Sequence, residues 1–326
     1  MTTKMTSYFA SLTKTPFSFF LTFSIVYLLF ATILLLAFWK TNADALNGLG
    51  TLEVLLGNSL LAVGLVFLAT LVFLVFMRRS GRLLEMSQAL LATCIFLPAF
   101  GIVKSSMPLV WDFYADPIFA AWDYYFHLES DAYVVYAKFF PIPSPEFAAL
   151  IYGSIWAKIV AIVPGLVALI DSSNIRKWRF VWMVLLVWVG LGNITALLGL
   201  SVGPIFYEHA VGVNRYDGLY QFFEQVGYNR GVFDEVAQYL WQLYATNTIW
   251  IGSGISAFPS VHVAAATLIA LYLFDLNRFL GIVGIAYVML IQVLSVYSGF
   301  HYAIDGYFSI LVVTSFWIWH RRRYGT

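Results

Sequence analysis

The chain has 326 residues, of which 61% are hydrophobic, 18% aromatic and only 11% charged. A soluble domain of this length could not hide so much apolar surface, and a formal net charge of +1 gives no sign of a nucleic-acid partner. The single cysteine, Cys94, lies inside an apolar run and excludes an intrachain disulfide framework.

In chain order, residues 1–15 form a short polar arm with Lys4 and Lys14. The run from Pro16 to Trp39 lacks a small-residue cleavage site and reads as a retained span. Apolar runs of about 20 residues, the length that crosses a bilayer as helix, recur along the rest. The predicted spans are 16–39, 53–77, 84–103, 148–170, 179–200, 260–275, 279–297 and 303–319. This is an all-α polytopic membrane bundle of about eight transmembrane helices. Lys158 and Pro164 interrupt the fourth span.

Basic residues orient the set. Twelve fall on the side that holds both termini, among them Arg78, Arg79, Arg82, Arg176, Lys177, Arg179, Arg278 and the tail Arg321, Arg322 and Arg323. Five fall on the other side: Lys40, Lys104, Lys138, Arg215 and Arg230. Both termini are then cytoplasmic, with residues 40–52, 104–147 and 201–259 outside. The expected organisation is N-terminal transmembrane helices (1–103), an aromatic extracytoplasmic segment (104–147) and a core carrying the chemistry (148–326).

The segment 104–147, with Trp111, Tyr114, Trp122, Tyr124 and Tyr125, is too aromatic for a solvated loop and predicts short interfacial helices. In 201–259, Val232, Val236, Leu240 and Leu243 recur at helical spacing and predict an amphipathic helix able to cap a site. No internal repeat stands out.

Two motifs sit at the outer ends of the last three spans. His301 and Asp305 are four apart and share one helix face. A carboxylate holding one ring nitrogen fixes the tautomer and leaves the other nitrogen free to attack. The plain alternative is a polar pair that fills a site in the bundle, but ionisable groups at such positions usually mark function. Pro259-Ser260-Val261-His262 opens the sixth span. Proline favours the first helical position, and a helix start offers unpaired amides to an anion. A phosphate could rest on the Ser260 hydroxyl while His262 protonates a leaving oxygen. The polar break at 275–278 turns the chain back, bringing His262 and His301 to the same membrane face.

The other ionisable groups read more simply. His127 beside Asp123 suggests a structural hydrogen bond, and His209 beside Glu208 an outer-loop residue that lines a site in one reading. His320 belongs to a basic anchoring tail. Lys158 either snorkels or pairs with a carboxylate. No Cys/His cluster has ligand spacing, so neither metal nor cofactor is implied.

Together, Pro-Ser-x-His, one helical hairpin and His-x-x-x-Asp resemble the type 2 phosphatidic acid phosphatase superfamily. Gly254-Ile-Ser-Ala-Phe-Pro-Ser-Val-His262 with His301-Tyr-Ala-Ile-Asp-Gly306 is more similar still to its inositol phosphorylceramide synthase-like branch and that branch's bacterial relatives. Ser201-Val202-Gly203-Pro204 resembles a Ser-x-Gly-Pro segment of those relatives, and Lys104 with Pro108 and Asp112 an upstream element.

The resemblance implies a phosphohistidine mechanism. His301 would be the nucleophile, Asp305 its orienting partner, and His262 the general acid and then base. Two departures stand out: the superfamily's arginine six residues before the nucleophile is Ser295, and no Lys-x6-Arg-Pro element precedes Pro-Ser-x-His. Lys104 and Arg215 are therefore the candidate cations of the phosphate clamp, with Ser260 and the loop of Ser201, Gly203 and Pro204 as further contacts.

The expected activity moves a phosphoryl or inositol-phosphate-like headgroup from a phospholipid or polyprenyl phosphate to a hydroxyl acceptor, lipid or sugar. A lipid phosphate phosphatase, with water as acceptor, is the alternative, and a proton-coupled transporter or flippase the remote one. The expected setting is a bacterial inner membrane, with the site on the extracytoplasmic face.

Overall fold

The structure is a computed structural model that describes residues 14–38, 80–249 and 254–325. The predicted span 53–77 and the segment 40–52 lie outside these residues. Among the described residues every regular element is helical.

Helix α1 (Pro16–Ala37) starts with proline at its first position and a capping box in which Thr15 and Ser18 satisfy each other's backbone amides. Helix α2 (Ser80–Ser106) packs along α1. Two short helices, α3 (Asp116–Phe126) and α4 (Ala132–Phe139), occupy the aromatic segment, as its composition predicts.

Helix α5 runs Pro145–Ile170 and α6 runs Asn174–Leu198. Lys158 and Pro164 do not interrupt α5. Lys158 sits on its exposed surface and Pro164 is buried within it. A membrane helix tolerates proline where its neighbours re-satisfy the freed carbonyl. The irregularities lie elsewhere, as π-helical turns at Leu150–Ile155 in α5 and Leu186–Thr195 in α6.

Three helices follow: α7 (Tyr207–Val211), α8 (Asp217–Val226) and α9 (Val232–Ala245). The last is the helix that the Val232–Leu243 spacing predicts. The chain ends in α10 (Val261–Leu276), α11 (Arg278–Tyr297) and α12 (Ala303–Tyr324).

Among the described residues five helices are long and apolar enough to cross a membrane: α1, α2 (as Gly81–Leu109), α5, α6 and α11, with α10 a shorter apolar helix. The chain is a multi-pass integral membrane protein. Asn277 turns α10 into α11 by accepting from the Phe279 amide at 2.7 Å, so the two form an antiparallel hairpin. That hairpin and α12 put the start of α10 and the start of α12 at one end of the bundle, and Asp275 and Arg321 at the other.

Candidate active site

Helix α10 begins two residues later than its proline suggests. Ser260 is the N-cap, and its hydroxyl accepts from the Val263 amide at 3.4 Å. The Ser260 amide donates to the Asp305 carbonyl at 3.3 Å, while the Ser309 hydroxyl donates to the Ser260 carbonyl at 2.9 Å. Fully buried, Ser260 ties α10 to α12 and does not line the cavity described below. It therefore fills a capping role where a phosphate contact was expected, because its own helix claims the hydroxyl.

His262, in the first turn of α10, lies between two aromatic rings. Tyr152 stacks on it with centroids 4.2 Å apart, and Trp156 with centroids 3.9 Å apart. Trp156 Nε1 also donates to the His262 carbonyl at 3.1 Å. The π turn at Leu150–Ile155 widens α5 at this point, as such turns often do at functional sites. The His301 ring approaches edge-on, its centroid 6.2 Å from that of His262.

His301 precedes α12 and Asp305 lies in its first turn. Their spacing produces the expected contact, Nδ1 to Oδ2 at 3.3 Å, and the same oxygen accepts from the Tyr302 amide at 3.0 Å. Burial first, and the nearby Lys104 charge second, push His301 down to about 3, with the Ala257 backbone opposing. The imidazole is thus neutral at physiological pH, with a lone pair to offer.

Two carboxylates that the sequence reading did not place in the site brace this loop. Asp116, fully buried at the start of α3, accepts from the Val202 amide at 2.8 Å, the Gly203 amide at 3.0 Å and the Tyr302 hydroxyl at 2.8 Å. Burial raises Asp116 above the usual carboxylate range, and these three donors oppose that shift. Asp123, two turns on, accepts from the Ile304 amide at 3.1 Å. Burial lifts it to about 6, with His127 opposing.

His127 has the structural role its spacing suggests, donating from Nδ1 to the Asp123 carbonyl at 2.6 Å. Tyr302 and Ile304, just after the nucleophile candidate, are therefore held from the aromatic segment. The signal in sequence was an Asp-Pro at a helix start and a carboxylate two turns later, too common a pattern to single out.

A cavity of about 690 Å³ opens in front of the two histidines. Lys104, near the end of α2, reaches it together with His262, His301 and Ser256. Among the described residues no carboxylate pairs with Lys104. Residue 254 must be small, since a Cβ there would fall 2.6 Å from the Lys104 side chain. Val232, Val236 and Leu240 of α9 roof the cavity, the capping role predicted for that helix.

The remaining candidates lie elsewhere. Arg215 makes a two-pronged pair with Asp131 at 2.5 and 3.2 Å and stacks over Tyr124 and Tyr216, away from the cavity. The Ser201 hydroxyl accepts from the Phe258 amide at 3.1 Å, the Gly203 amide serves Asp116, and Pro204 has no N–H. Only Val202 of that loop lines the cavity.

Gly203 holds φ at +85°, and a Cβ there would lie 2.4 Å from the Phe300 carbonyl oxygen, so the loop presses directly on the His301 loop. Ser295 turns its hydroxyl onto the Gln292 carbonyl at 2.7 Å within α11. His209 packs on Trp241, and His320, read as part of an anchoring tail, is buried within α12 beside Arg179.

Comparison with family models matches residues 143–319 to the PAP2 superfamily. The match starts after Lys104 and the carboxylates of α3, and it takes in Pro-Ser-x-His, His-x-x-x-Asp and the Ser201–Pro204 loop. No curated protein and no solved structure matches the chain. With more than half of its length matched and both histidine motifs facing one cavity, this chain belongs to the PAP2 superfamily.

Proposed function

We propose that this protein is a membrane phosphotransferase that carries a phosphoryl or inositol-phosphate-like headgroup from a lipid donor to a hydroxyl acceptor through a phosphohistidine. The observation that carries the reading is the meeting of Lys104, His262 and the His301–Asp305 pair at one cavity whose other walls are largely apolar.

In the first step the His301 Nε2 lone pair forms a bond to phosphorus as the bond to the leaving lipid oxygen breaks, and His262 gives that oxygen a proton. Asp305 holds Nδ1–H and balances the positive charge that grows on the ring. Lys104 and the backbone amides of residues 254–256, which border the cavity, would stabilise the charge that develops on the phosphoryl oxygens. In the second step His262 takes the proton of an acceptor hydroxyl. The acceptor oxygen attacks phosphorus, and the His301 nitrogen leaves. Tyr152 and Trp156 hold the His262 ring between their faces, which fixes its position for both proton transfers.

Water competes with any acceptor for a phosphohistidine, and the aromatic and aliphatic walls support transfer over hydrolysis. The eight-span topology, with both termini cytoplasmic and the histidines on the extracytoplasmic face, belongs to the same proposal. So does the assignment to the inositol phosphorylceramide synthase-like branch.

The test uses purified protein, radiolabelled phospholipids and polyprenyl phosphates, with and without hydroxyl lipids or sugars. Transfer predicts labelled product only when an acceptor is present, and an acid-labile, base-stable label on the protein that His301→Ala abolishes. Rapid free phosphate without acceptor would make the protein a phosphatase. Unchanged turnover in His301→Ala would end the phosphohistidine reading.

A further inference from the structure

The cavity is longer than a phosphate site requires. We propose that its deep arm, between α2 and α5, holds one hydrocarbon chain of the lipid phosphate. The chain would lie within a single leaflet's depth while the phosphate meets Lys104 and the histidines. This inference rests on the proposed reading of those groups as the phosphate site.

The two helices are splayed. At Gly165 a Cβ would come within 2.7 Å of the Leu90 side chain, so α5 and α2 touch there. About three turns nearer the histidines, at Gly153, a Cβ meets nothing within 4 Å among the described residues. Between these points Gly153, Ala157 and Ala161 follow one another at four-residue spacing along the face of α5 that borders the gap. Gly153 and Ala157 are exposed, so among the described residues the gap opens sideways.

The opposite wall suits hydrocarbon. Thr93 of α2 is its deepest hydroxyl, and that hydroxyl already donates to the Ala89 carbonyl at 2.8 Å. From Lys104 to Thr93 the helix rises about 16 Å, close to half of a hydrocarbon core of about 30 Å. One turn deeper, Leu90 closes on Gly165 and forms the floor. A cation at the mouth, an apolar furrow one row of small side chains wide, and a floor about half a hydrocarbon core below it together fit an anionic headgroup with a single chain beneath it.

Cys94 lines this furrow and is the chain's only cysteine, so it reports occupancy without any engineered label. The experiment follows alkylation of Cys94 by a lipid-soluble maleimide, read as a mass shift, on the full chain in phosphatidylcholine nanodiscs. Hexadecyl phosphate should slow alkylation at least tenfold, whereas butyl phosphate and hexadecanol should not. Gly153→Leu should cut that protection about tenfold, since each excluded methylene costs roughly fourfold in affinity. Ala161→Leu, deeper in the furrow, gives the same reading if Gly153→Leu does not fold.

Equal protection by hexadecanol would reduce the furrow to an unselective crevice, and no protection by hexadecyl phosphate would remove the chain site. Either result overturns the inference. Protection that survives in His301→Ala, beside a wild type that turns over no phosphate, would leave the chain site standing and remove the reaction. Turnover in wild type without protection would do the reverse.

Discussion

The two ends of α10 and α12 carry buried polar clusters of opposite character. At one end Arg179, fully buried, donates to Asp275 and to the Gly325 carbonyl and lies over the Trp317 ring. Arg321 shares Asp275 at 3.2 Å. Nearby, Arg176 grips Asp171 at 2.6 and 2.9 Å, and Lys177 meets Glu85 at 2.5 Å. Each of these cations has a carboxylate. At the other end Lys104 has no carboxylate partner among the described residues, the histidine rings face open space, and three buried aspartates hold backbone around them. A buried charge that is fully paired fixes helices in register. One left unpaired beside a cavity is costly unless a ligand completes it.

That contrast can be broken by mutation, and the largest expected effect is at the histidine end. His301→Ala should lower lipid phosphate turnover by at least about 10³-fold while moving the thermal melt in detergent only modestly, because Asp305 keeps the Tyr302 amide when the His301 contact is lost. A large fall in melting temperature would mean that the histidine end is structural after all.

Asp275→Ala should do the opposite. It strands Arg179, so it should cost about 3–5 kcal/mol of stability while turnover per folded molecule stays near wild type. Melting curves and activity measured on one preparation test both halves of the comparison.

Lys104→Met is expected to reduce turnover by about 10²-fold through lost charge stabilisation. It should also move the acid limb of the rate profile. His301 is held down to about 3 by burial and then by Lys104, so removing the ammonium raises the His301 pKa towards its ordinary value. A protonated ring cannot attack, so activity in the variant should begin to fall at a higher pH than in wild type. A pH–rate profile that does not move would separate Lys104 from the nucleophile.

The smallest effect sharpens the role of the braces. Tyr302→Phe deletes the hydroxyl that donates to Asp116 at 2.8 Å and should cost about 1–3 kcal/mol, read in the melt, with only a modest loss of turnover. A loss as large as that of His301→Ala would place Tyr302 in the chemistry itself.

Several features could be read from the sequence by itself because their causes are local. Helix length and hydropathy come from consecutive residues, so the spans around α1, α2, α5, α6 and α11 emerge with ends a few residues off. His301 and Asp305 meet because Asp305, in the first turn of α12, reaches back to the residues just ahead of the helix, and α9 appears because its apolar residues repeat at helical spacing. Tertiary structure decided everything that depends on a partner far along the chain. Lys104 and Arg215 look alike in sequence, yet α2 ends at the histidines while Asp131 captures Arg215. Ser260 reads as a phosphate contact until its own helix claims the hydroxyl. Asp116 and Asp123 become braces only because α3 folds against the 201–204 loop and the start of α12, which lie far along the chain. A hydrogen bond or an ion pair needs a few ångströms and a direction, and across such sequence separations only the packed bundle supplies them.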